Sequence, residues 1–483
     1  MLRQLFFLTL YCILLGSSPA IAASSFSESV KGALCVVRAD DKLVLIHEIL
    51  TNRISLPGGT IIEGEQPRAA AQRETWEETG LVVTVGKELG RTEKAVFFDC
   101  VSDSEIISYS MINSMGGNEL PIWFAPHYGV EIASAMLLTP EQLPVSTYRY
   151  PAQWQTVVDY FNDATHQPVH YINHLIESAP SFRQIELDWM MELQNWVGSL
   201  SATSFQTASQ AAEMILELTA PTILLFLFPF VMMRFGSRFV FRLFFAISVT
   251  SVMILVAQQG FSLPRPHVYM PVVELTHSFG FSFPSLPIAV WCCVLTFLFH
   301  KIGNFGVNGS TGLIIGMTLL VVLAKFFLGT AFILDMLLGA LLGILVAWHI
   351  LRLEVNPEIH VDQLLTSKGV WLAMTVFTAV ICVVWPLPVF GNWLAILMAA
   401  SVIVLTFDKS QVQLSVRQAV FVILALILAQ QLYLYSATSV SYSGFWSLVF
   451  ITLQYPMLML LFTLLVRKLT QGKRLKSRVL DVE

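Results

Sequence analysis

The fold of the N-terminal part of this chain is decided by the stretch Gly59–Leu81, GTIIEGEQPRAAAQRETWEETGL. Pro67 suits the first turn of a helix and Gly80 suits its end, and the residues between them are rich in good helix formers. One face of that helix carries three carboxylates, those of Glu74, Glu77 and Glu78. Because these carboxylates repel one another, the pattern predicts a site for a hard divalent cation, Mg2+ or Mn2+. A solvated acidic helix face is the alternative interpretation.

The same stretch follows the pattern G-x5-E-x7-R-E-U-x-E-E-x-G-U, in which U is an apolar residue. Eight fixed positions are in register, namely Gly59, Glu65, Arg73, Glu74, Glu77, Glu78, Gly80 and Leu81. Only the first apolar position departs, because Thr75 stands there. The stretch resembles the signature box of the Nudix hydrolases, which cleave a diphosphate linked to another group with water as the nucleophile.

The resemblance implies a role for each of these residues. Glu74, Glu77 and Glu78 would be the metal-ligand carboxylates, and the carbonyl of Gly59 would be a further ligand. Arg73 would hold the glutamates in place. The family does not fix which glutamate is the general base, so that role stays open. The metal would neutralise phosphate charge and lower the pKa of the attacking water.

Residues 23–168 have the composition of a globular α/β domain. Strands are predicted at Gly32–Val37, Leu43–His47, Leu81–Val85, Glu105–Ser110 and Glu131–Leu138, and a closing helix at Gln153–Tyr160. Strands around one box helix match the α/β/α sandwich of the resembled family. The loop Gly116–His127 is a candidate for stacking on a base or covering a lipid headgroup, with core packing and a hairpin as the alternative.

The whole chain is too apolar for a soluble protein. Its 483 residues are 55% hydrophobic and 13% charged, with a mean hydropathy of +0.67, so we expect an all-α membrane domain. About nine apolar runs are long enough to be spans, near residues 215–233, 239–257, 284–299, 309–328, 331–350, 369–385, 392–407, 418–436 and 445–466. The net charge of -5 says little about partners, and nothing indicates nucleic-acid binding. No protein partner is predicted.

The N-terminus and the loop charges predict one orientation in the membrane. Residues 1–22 have the pattern of a secretory signal peptide that ends at Ala20-Ile21-Ala22, with an uncleaved anchor as the alternative. Lys and Arg are frequent in alternate loops and in the C-terminal tail, whereas the opposite loops hold only Arg265 and Lys325. We therefore expect a multi-pass protein of the cell (inner) membrane, with an extracytoplasmic (periplasmic) N-terminal domain and a cytoplasmic C-terminus.

Two further features belong to the exported part. Cys35 and Cys100 are its two cysteines, and in an oxidising compartment they could pair; two buried thiols are the alternative. The linker, residues 169–213, has apolar residues at helical spacing, among them Trp189 and Trp196. This pattern fits an amphipathic helix at the membrane surface or a helix packed on the N-terminal domain.

Residues 214–354 carry a second, degenerate motif. Positions that match are Arg265, Pro266, Pro284, Ser285 and Asp335. Positions that depart are Gln258, Leu286, Pro287, Ala324, Lys325 and Ala331. The spacing resembles the type-2 phosphatidic acid phosphatase family, with its K-x6-R-P, P-S-G-H and S-R-x5-H-x3-D elements, and here Pro287 and Ala331 replace the two histidines.

The departures imply a membrane domain that keeps the fold without phosphatase activity, because proline and alanine side chains can neither attack phosphorus nor shuttle protons. The candidate phosphate-binding residues of this domain are Arg265, Lys325, Ser285 and Asp335. The alternative is that the two cations only anchor the outer interface. Residues 355–483 contain further apolar runs and a basic tail, without a motif.

Three functions follow from these observations. The leading one is a membrane-anchored, metal-dependent Nudix hydrolase that acts on a nucleotide- or lipid-linked diphosphate outside the cytoplasm. The second is a bifunctional enzyme whose membrane half still removes phosphate from lipids. The third is a non-catalytic membrane protein that binds or transports lipid phosphates. The expected partners are a diphosphate-containing small molecule or lipid and the membrane lipids.

Overall fold

A computed structural model describes residues 30–303, 309–355, 361–406 and 411–480, so the predicted signal peptide lies outside the described residues. The strands are β1 Gly32–Val36, β2 Arg38–Ala39, β3 Lys42–Glu48, β4 Ile54–Ser55, β5 Gly58–Thr60, β6 Val83–Arg91, β7 Ala95–Ser102, β8 Ile106–Tyr109, β9 Asn118–Glu119, β10 Ile132–Leu138, β11 His166–Gln167 and β12 Val169–Ile172. The helices are α1 Pro67–Thr79, α2 Trp154–Asp163, α3 Ser181–Leu200, α4 Ala202–Glu217, α5 Pro221–Phe235, α6 Ser237–Phe261, α7 Pro266–Tyr269, α8 Leu286–Ile302, α9 Gly309–Phe327, α10 Ile333–Val355, α11 Val361–Leu365, α12 Lys368–Val384, α13 Pro388–Thr406, α14 Val416–Thr438 and α15 Gly444–Leu480.

The N-terminal domain is built on two larger sheets, beside a two-stranded sheet of β8 and β12. One has the strand order β5-β1-β7-β6, with β1 and β7 parallel, and the other has the order β11-β2-β3-β10-β9. Helix α1 packs Ala70 and Ala71 into one apolar core, while α2 packs Trp154 and Phe161 into the other. The predicted α/β domain is therefore present, with helices on both sides of the strands.

Each strand and helix predicted in this domain corresponds to an observed one, with shifts at the ends. The largest shift is in β6, which runs to Arg91 instead of ending at Val85. Cys35 in β1 and Cys100 in β7 form a disulfide with a Cα–Cα distance of 5.5 Å, so the pairing alternative for these cysteines is the one the structure contains. Both cysteines are fully buried.

The C-terminal part is largely helical. Within the described residues, each of the nine predicted apolar runs overlaps a helix, and the first, 215–233, is divided between α4 and α5. Among the described residues, five helices are long and apolar enough to cross a membrane, namely Ser237–Phe261, Ile333–Glu354, Pro388–Thr406, Val416–Thr438 and Gly444–Thr470. Helices α4 and α5 form a pair bent by 53°, and three apolar helices are shorter. The chain is thus a multi-pass membrane protein, and the count of nine spans stays a prediction.

The linker folds as strand β12, which pairs with β8, followed by the helices α3 and α4. The apolar stripe of α3 is exposed, as Trp189 (54% exposed) and Trp196 (62% exposed) illustrate. Its polar residues Arg183 and Gln194 point inward and are buried. Gln194 Nε2 donates to the carbonyls of Val273 and Phe327. Leu187 and Met190 on the same side are buried in an apolar cluster. The face of α3 that meets the membrane domain is therefore of mixed polarity.

Candidate active site

Helix α1 positions the acidic residues of the box. It begins at Pro67 and ends at Thr79, and Gly80 adopts a left-handed φ of 70° while its N–H donates to the Trp76 carbonyl. One face of α1 is buried on the sheet through Ala70 and Ala71. Glu74 and Glu78 follow Ala70 at intervals of one helical turn, and Glu77 lies beside them. The glutamates therefore continue the side of the helix that begins with Ala70, toward the C-terminal end of α1.

Two of these glutamates meet a histidine from a distant loop. One side-chain ligand atom each from Glu74, Glu77 and His127 lies within 4.8 Å of the other two. The His127 N–H donates to the backbone carbonyl of Glu77 at 2.8 Å, which fixes the loop against the helix. Sequence reasoning missed this residue, since His127 entered only as the last residue of a candidate recognition loop.

Arg73 holds the acidic residues together, as the resemblance implies. Its guanidinium contacts Glu65 at 2.9 Å, Glu74 at 2.9 Å and Glu77 at 2.8 Å. These bonds, led by the one to Glu65, raise the pKa of Arg73 above its already high value. Burial raises the pKa of Glu74, and the neighbouring Arg73 opposes that effect.

Gly59 lies against the Glu74 carboxylate. A Cβ added at Gly59 would lie 2.5 Å from both the carboxyl carbon and Oε1 of Glu74. Only glycine therefore permits this close approach of backbone and carboxylate. The arrangement is compatible with the Gly59 carbonyl as a metal ligand, which stays a prediction.

Glu78 lies deeper than the other two glutamates. Its side chain is buried and accepts a hydrogen bond from the Gly58 N–H at 2.8 Å. Burial raises the pKa of Glu78 well above its usual value, and the nearby carboxylates of Glu74, Glu48 and Glu131 raise it further. Within the described residues, the group of close ligand atoms contains His127 and not Glu78, so the ligand role of Glu78 stays a prediction.

A cavity lies at the boundary of the N-terminal domain, and we call it the interdomain cavity. Its volume is about 370 Å³, and it lies between the N-terminal domain and residues 262–285, here called the membrane loop. Residues on the N-terminal side include His47, Glu48, Asn52, Tyr109, Glu119, Trp123 and Tyr128, and residues on the loop side include His267, Glu274, His277, Ser278 and Phe279. The candidate recognition loop thus contributes Glu119 and Trp123 to a cavity wall.

The predicted phosphate-binding residues of the membrane domain mostly hold the protein together. The Arg265 guanidinium donates to the carbonyls of Phe279 at 2.7 Å and Thr330 at 2.6 Å. Lys325 is buried, and its carbonyl accepts from Thr330, so Arg265 and Lys325 both contact Thr330. The Ser285 N–H donates to the carbonyl of Asp335 at 2.9 Å. Their ability to bind phosphate stays a prediction.

Asp335 has partners that the sequence did not indicate. Its carboxylate accepts from the Ser282 hydroxyl and from the Arg183 guanidinium, the latter at 3.2 Å. Arg183 is 1% exposed, also donates to the Pro264 carbonyl at 2.8 Å, and lies over the Phe332 ring at 4.4 Å. Arg183 of the linker therefore forms an ion pair with Asp335, the acidic residue of the degenerate motif.

Comparisons with known proteins bear on the N-terminal domain. Residues 29–159 match the model of the NUDIX domain family. Over 74 residues the chain is 39% identical to a MutT-like protein of Streptomyces ambofaciens; the match covers 15% of this chain and 48% of that relative, about half its length.

Two similar solved structures have TM-scores below 0.3. A structure of Aquifex aeolicus LpxE is 22% identical and has a TM-score of 0.29; the match covers 34% of this chain and 94% of that one. An ADP-ribose pyrophosphatase from Streptococcus suis is 16% identical over 30% of this chain and 100% of that one, with a TM-score of 0.21. The family match shows that the N-terminal domain is a Nudix domain, while the second resemblance, over residues 214–354, stays a prediction.

Proposed function

We propose that this chain is a membrane-anchored Nudix hydrolase that cleaves a diphosphate linkage in a nucleotide- or lipid-linked substrate outside the cytoplasm, in a metal-dependent reaction. The observation that supports it best is that Glu74 and Glu77 of the box helix meet His127 from a distant loop, while Arg73 contacts both glutamates. The N-terminal Nudix domain gives the reaction class. The site and the family therefore point to the same chemistry.

The donor set fits a divalent cation. Carboxylate oxygens suit Mg2+ and Mn2+, and Glu74 and Glu77 already bring theirs together against the positive charge of Arg73. We propose Glu74, Glu77 and Glu78 as carboxylate ligands, with the Gly59 carbonyl beside them and His127 at the rim of the site. The bound metal would neutralise phosphate charge and activate the attacking water.

The protein's own side chains orient the carboxylates of the site. Arg73 fixes the carboxylate positions through its contacts with Glu65, Glu74 and Glu77. The glutamate that accepts the proton of the water is left open, since burial raises the pKa of both Glu74 and Glu78.

We also propose that the membrane half has no phosphatase activity. Pro287 and Ala331 stand at the two histidine positions of the resembled family. Asp335, which would orient a histidine, is instead held by Arg183 and Ser282. A bifunctional enzyme is less well supported for these reasons.

The proposed orientation places the Nudix domain in the periplasm and the C-terminus in the cytoplasm. It rests on the basic residues of the inner loops and on the signal-peptide pattern of residues 1–22. A reporter that works only outside the cytoplasm, inserted after Asn162, should be active. Activity only from a reporter that works in the cytoplasm would contradict this orientation.

The reaction is tested on the full chain in lipid nanodiscs, with a panel of nucleotide-linked and lipid-linked diphosphates and with Mg2+, Mn2+ or a chelator. Hydrolysis should require the metal and should be lost in Glu77→Gln. The matched control is Glu63→Gln, which changes an exposed glutamate just before the helix. Hydrolysis that survives both chelation and Glu77→Gln would refute the proposal.

A further inference from the structure

We propose that the interdomain cavity is a binding site for a small organic ammonium ion, held by the carboxyl groups of Glu119 and Glu274 and the hydroxyl of Tyr128. Glu119 and Tyr128 belong to the Nudix domain and Glu274 belongs to the membrane loop. A bound ligand therefore joins the two parts of the chain. The site is separate from the acidic cluster of the box helix, and the inference does not depend on the proposed hydrolysis.

The permanently charged side chains that line the cavity are acidic. They are Glu48, Glu119 and Glu274, and no Lys or Arg of the described residues is among the lining residues. Glu48 is already paired with Arg149 at 2.9 Å. The cavity therefore carries two carboxyl groups, those of Glu119 and Glu274, for which the lining offers no basic partner.

The partners of these two carboxyl groups are neutral. Glu119 accepts a hydrogen bond from Asn113 Nδ2 at 2.9 Å, and Glu274 accepts one from the Ser278 N–H at 2.9 Å. His267 Nδ1 lies 3.7 Å from Glu274, but burial lowers the pKa of His267 to about 3, so this ring carries no charge at neutral pH.

Each carboxyl group is costly to ionise where it stands. Burial raises the pKa of Glu274 to about 8, with the Glu119 carboxylate adding to the effect and Arg265 opposing it. Burial also raises the pKa of Glu119. A cation between the two groups offsets both the burial and the mutual repulsion.

The Tyr128 hydroxyl is the second observation that points to a ligand. Tyr128 is 3% exposed and lines the cavity, and its hydroxyl makes no hydrogen bond within the described residues, although the Gly280 backbone lies near it. Burial raises the pKa of Tyr128, and the Glu274 and Glu119 carboxylates contribute to the rise, so the hydroxyl lies close to both. A buried hydroxyl without a partner costs free energy that a bound donor recovers.

The geometry favours an organic ammonium ion over a metal ion. In the described part of the chain, only Glu74, Glu77 and His127 bring three ligand atoms of His, Cys or carboxylate side chains within 4.8 Å of one another. The ligand atoms of the cavity are more widely spaced. An ammonium group has three N–H donors on one nitrogen and an attached carbon body, so it can contact several acceptors across a larger space.

The remaining lining suits the carbon body of such a ligand. Trp123 and Phe279 supply aromatic surface, which attracts a cation and covers apolar groups. The volume of about 370 Å³ is in the range of small-molecule sites. The Tyr109 hydroxyl donates to the Val268 carbonyl, which joins the two walls directly. The cavity therefore has a defined shape before a ligand binds.

The test is isothermal titration calorimetry on the full chain in phosphatidylcholine nanodiscs at pH 8.5. The probe is phenethylamine, and 2-phenylethanol is the matched probe because a hydroxyl replaces its ammonium group. We expect saturable binding of phenethylamine, and binding about tenfold weaker in Glu274→Gln and in Tyr128→Phe. Both variants nearly keep the shape of the parent side chain. The control Glu192→Gln changes an exposed linker carboxylate and should bind as the parent does.

The affinity for phenethylamine should also depend on pH. A bound ammonium ion favours the carboxylate of Glu274, so binding releases its proton, and the affinity should rise roughly tenfold from pH 6.5 to pH 8.5. Glu274 faces Glu119 and Tyr128 across the cavity, and Arg265 and His267 on its own side. Glu274→Gln should reduce the pH dependence because the proton that is released in the parent is then absent.

The outcomes also distinguish this site from the acidic cluster of the box helix. Glu77→Gln should leave phenethylamine binding unchanged, and loss of binding in Glu77→Gln but not in Glu274→Gln would overturn the proposal. Equal affinity for 2-phenylethanol would refute the ammonium assignment, and the absence of saturable heat would refute the site. Zn2+ binding that Glu274→Gln abolishes, without binding of phenethylamine, would assign a metal instead.

A last arm identifies the source of the ammonium group. Nanodiscs that contain phosphatidylethanolamine present it on a lipid headgroup. If the headgroup enters the cavity, these nanodiscs should weaken the apparent affinity for phenethylamine in the parent and not in Glu274→Gln. An unchanged affinity in the parent identifies a soluble amine as the ligand.

Discussion

The backbones of Gly129 and Gly280 touch across the boundary between the Nudix domain and the membrane loop. Both residues have a φ of 72°, and a Cβ added at Gly129 would lie 2.6 Å from the Gly280 Cα. Their chain neighbours Tyr128 and Phe279 line the interdomain cavity. The spacing of the two cavity walls therefore depends on the absence of a side chain at Gly129.

Gly129→Ala should push the membrane loop away from the Nudix domain. Because misplacement by about 1 Å can cost up to about 100-fold in rate, we expect kcat/KM to fall at least about tenfold. Gly280→Ala is the matched control, since it has the same φ but its Cβ would lie 3.5 Å from Gly129 in an ordinary contact. Equal kinetics for the two variants would show that the wall spacing is unimportant.

Glu78→Gln should separate activity from stability. The amide oxygen can still accept from the Gly58 N–H, and a neutral group costs less to bury than a carboxylate. We expect turnover to fall about 100-fold, or about 2.7 kcal/mol, with a melting temperature at pH 8 equal to or above that of the parent. Full activity in a folded Glu78→Gln protein would exclude the carboxylate from the metal site.

Arg183→Ala should destabilise the membrane domain. It leaves the fully buried Asp335 without its cation, and breaking a buried pair costs about 3–5 kcal/mol. Arg183→Ala with Asp335→Asn should recover part of the loss, because the unpaired charge is then gone. Thermal unfolding in detergent measures the effect, and Arg238→Ala, at an exposed position, should stay close to the parent. Additive losses in the double variant would contradict a direct pair.

The stability of the protein should fall as the pH rises toward about 8. Glu274 has a folded-state pKa of about 8 against an ordinary value of 4.5. Between these values the folded state keeps a proton that the unfolded state releases, so the contribution is fully present below pH 4.5 and is lost as the pH passes the folded pKa. Glu274→Gln should flatten the melting temperature in this window. Parallel pH profiles for parent and variant would contradict the assignment.

Loss of the Cys35–Cys100 disulfide should weaken the Nudix domain. The bond closes a loop with a sequence separation of 65 residues, and disulfides typically stabilise by about 2–4 kcal/mol. The double variant Cys35→Ala, Cys100→Ala should melt earlier than the parent and should not respond to a reducing agent. Cys382→Ala, which changes a thiol outside the bond, should keep the response. A reductant-insensitive parent would mean that the bond does not stabilise the protein.

The box helix could be predicted almost residue by residue, whereas the cavity could not. Pro67 and Gly80 act on the backbone next to them, so the sequence marks both ends of the helix. His127 reaches Glu77 only through the fold of a loop, and no local pattern distinguishes it from other histidines. The cavity depends in the same way on pairs such as Tyr109 and Val268, which are far apart in the chain.

Helix α3 shows a second limit of prediction from the sequence. The sequence shows its helical period, but no local pattern predicts that the charged residue Glu186 lies on the buried face. In the structure Glu186 faces inward and accepts from the Ile333 N–H at 2.6 Å, next to the start of α10. Periodicity predicts which residues share a face of a helix. Beside a membrane it does not predict which face packs on the protein, because an apolar face can also contact the lipid.

The pairing of Arg183 with Asp335 also orders events during synthesis. The two residues are 152 positions apart, so the ribosome completes the Nudix domain long before it makes the aspartate that holds α3. Until α10 has been made, Arg183 therefore lacks this partner. The contact that fixes the linker to the membrane domain is therefore completed only after the Nudix domain has been made.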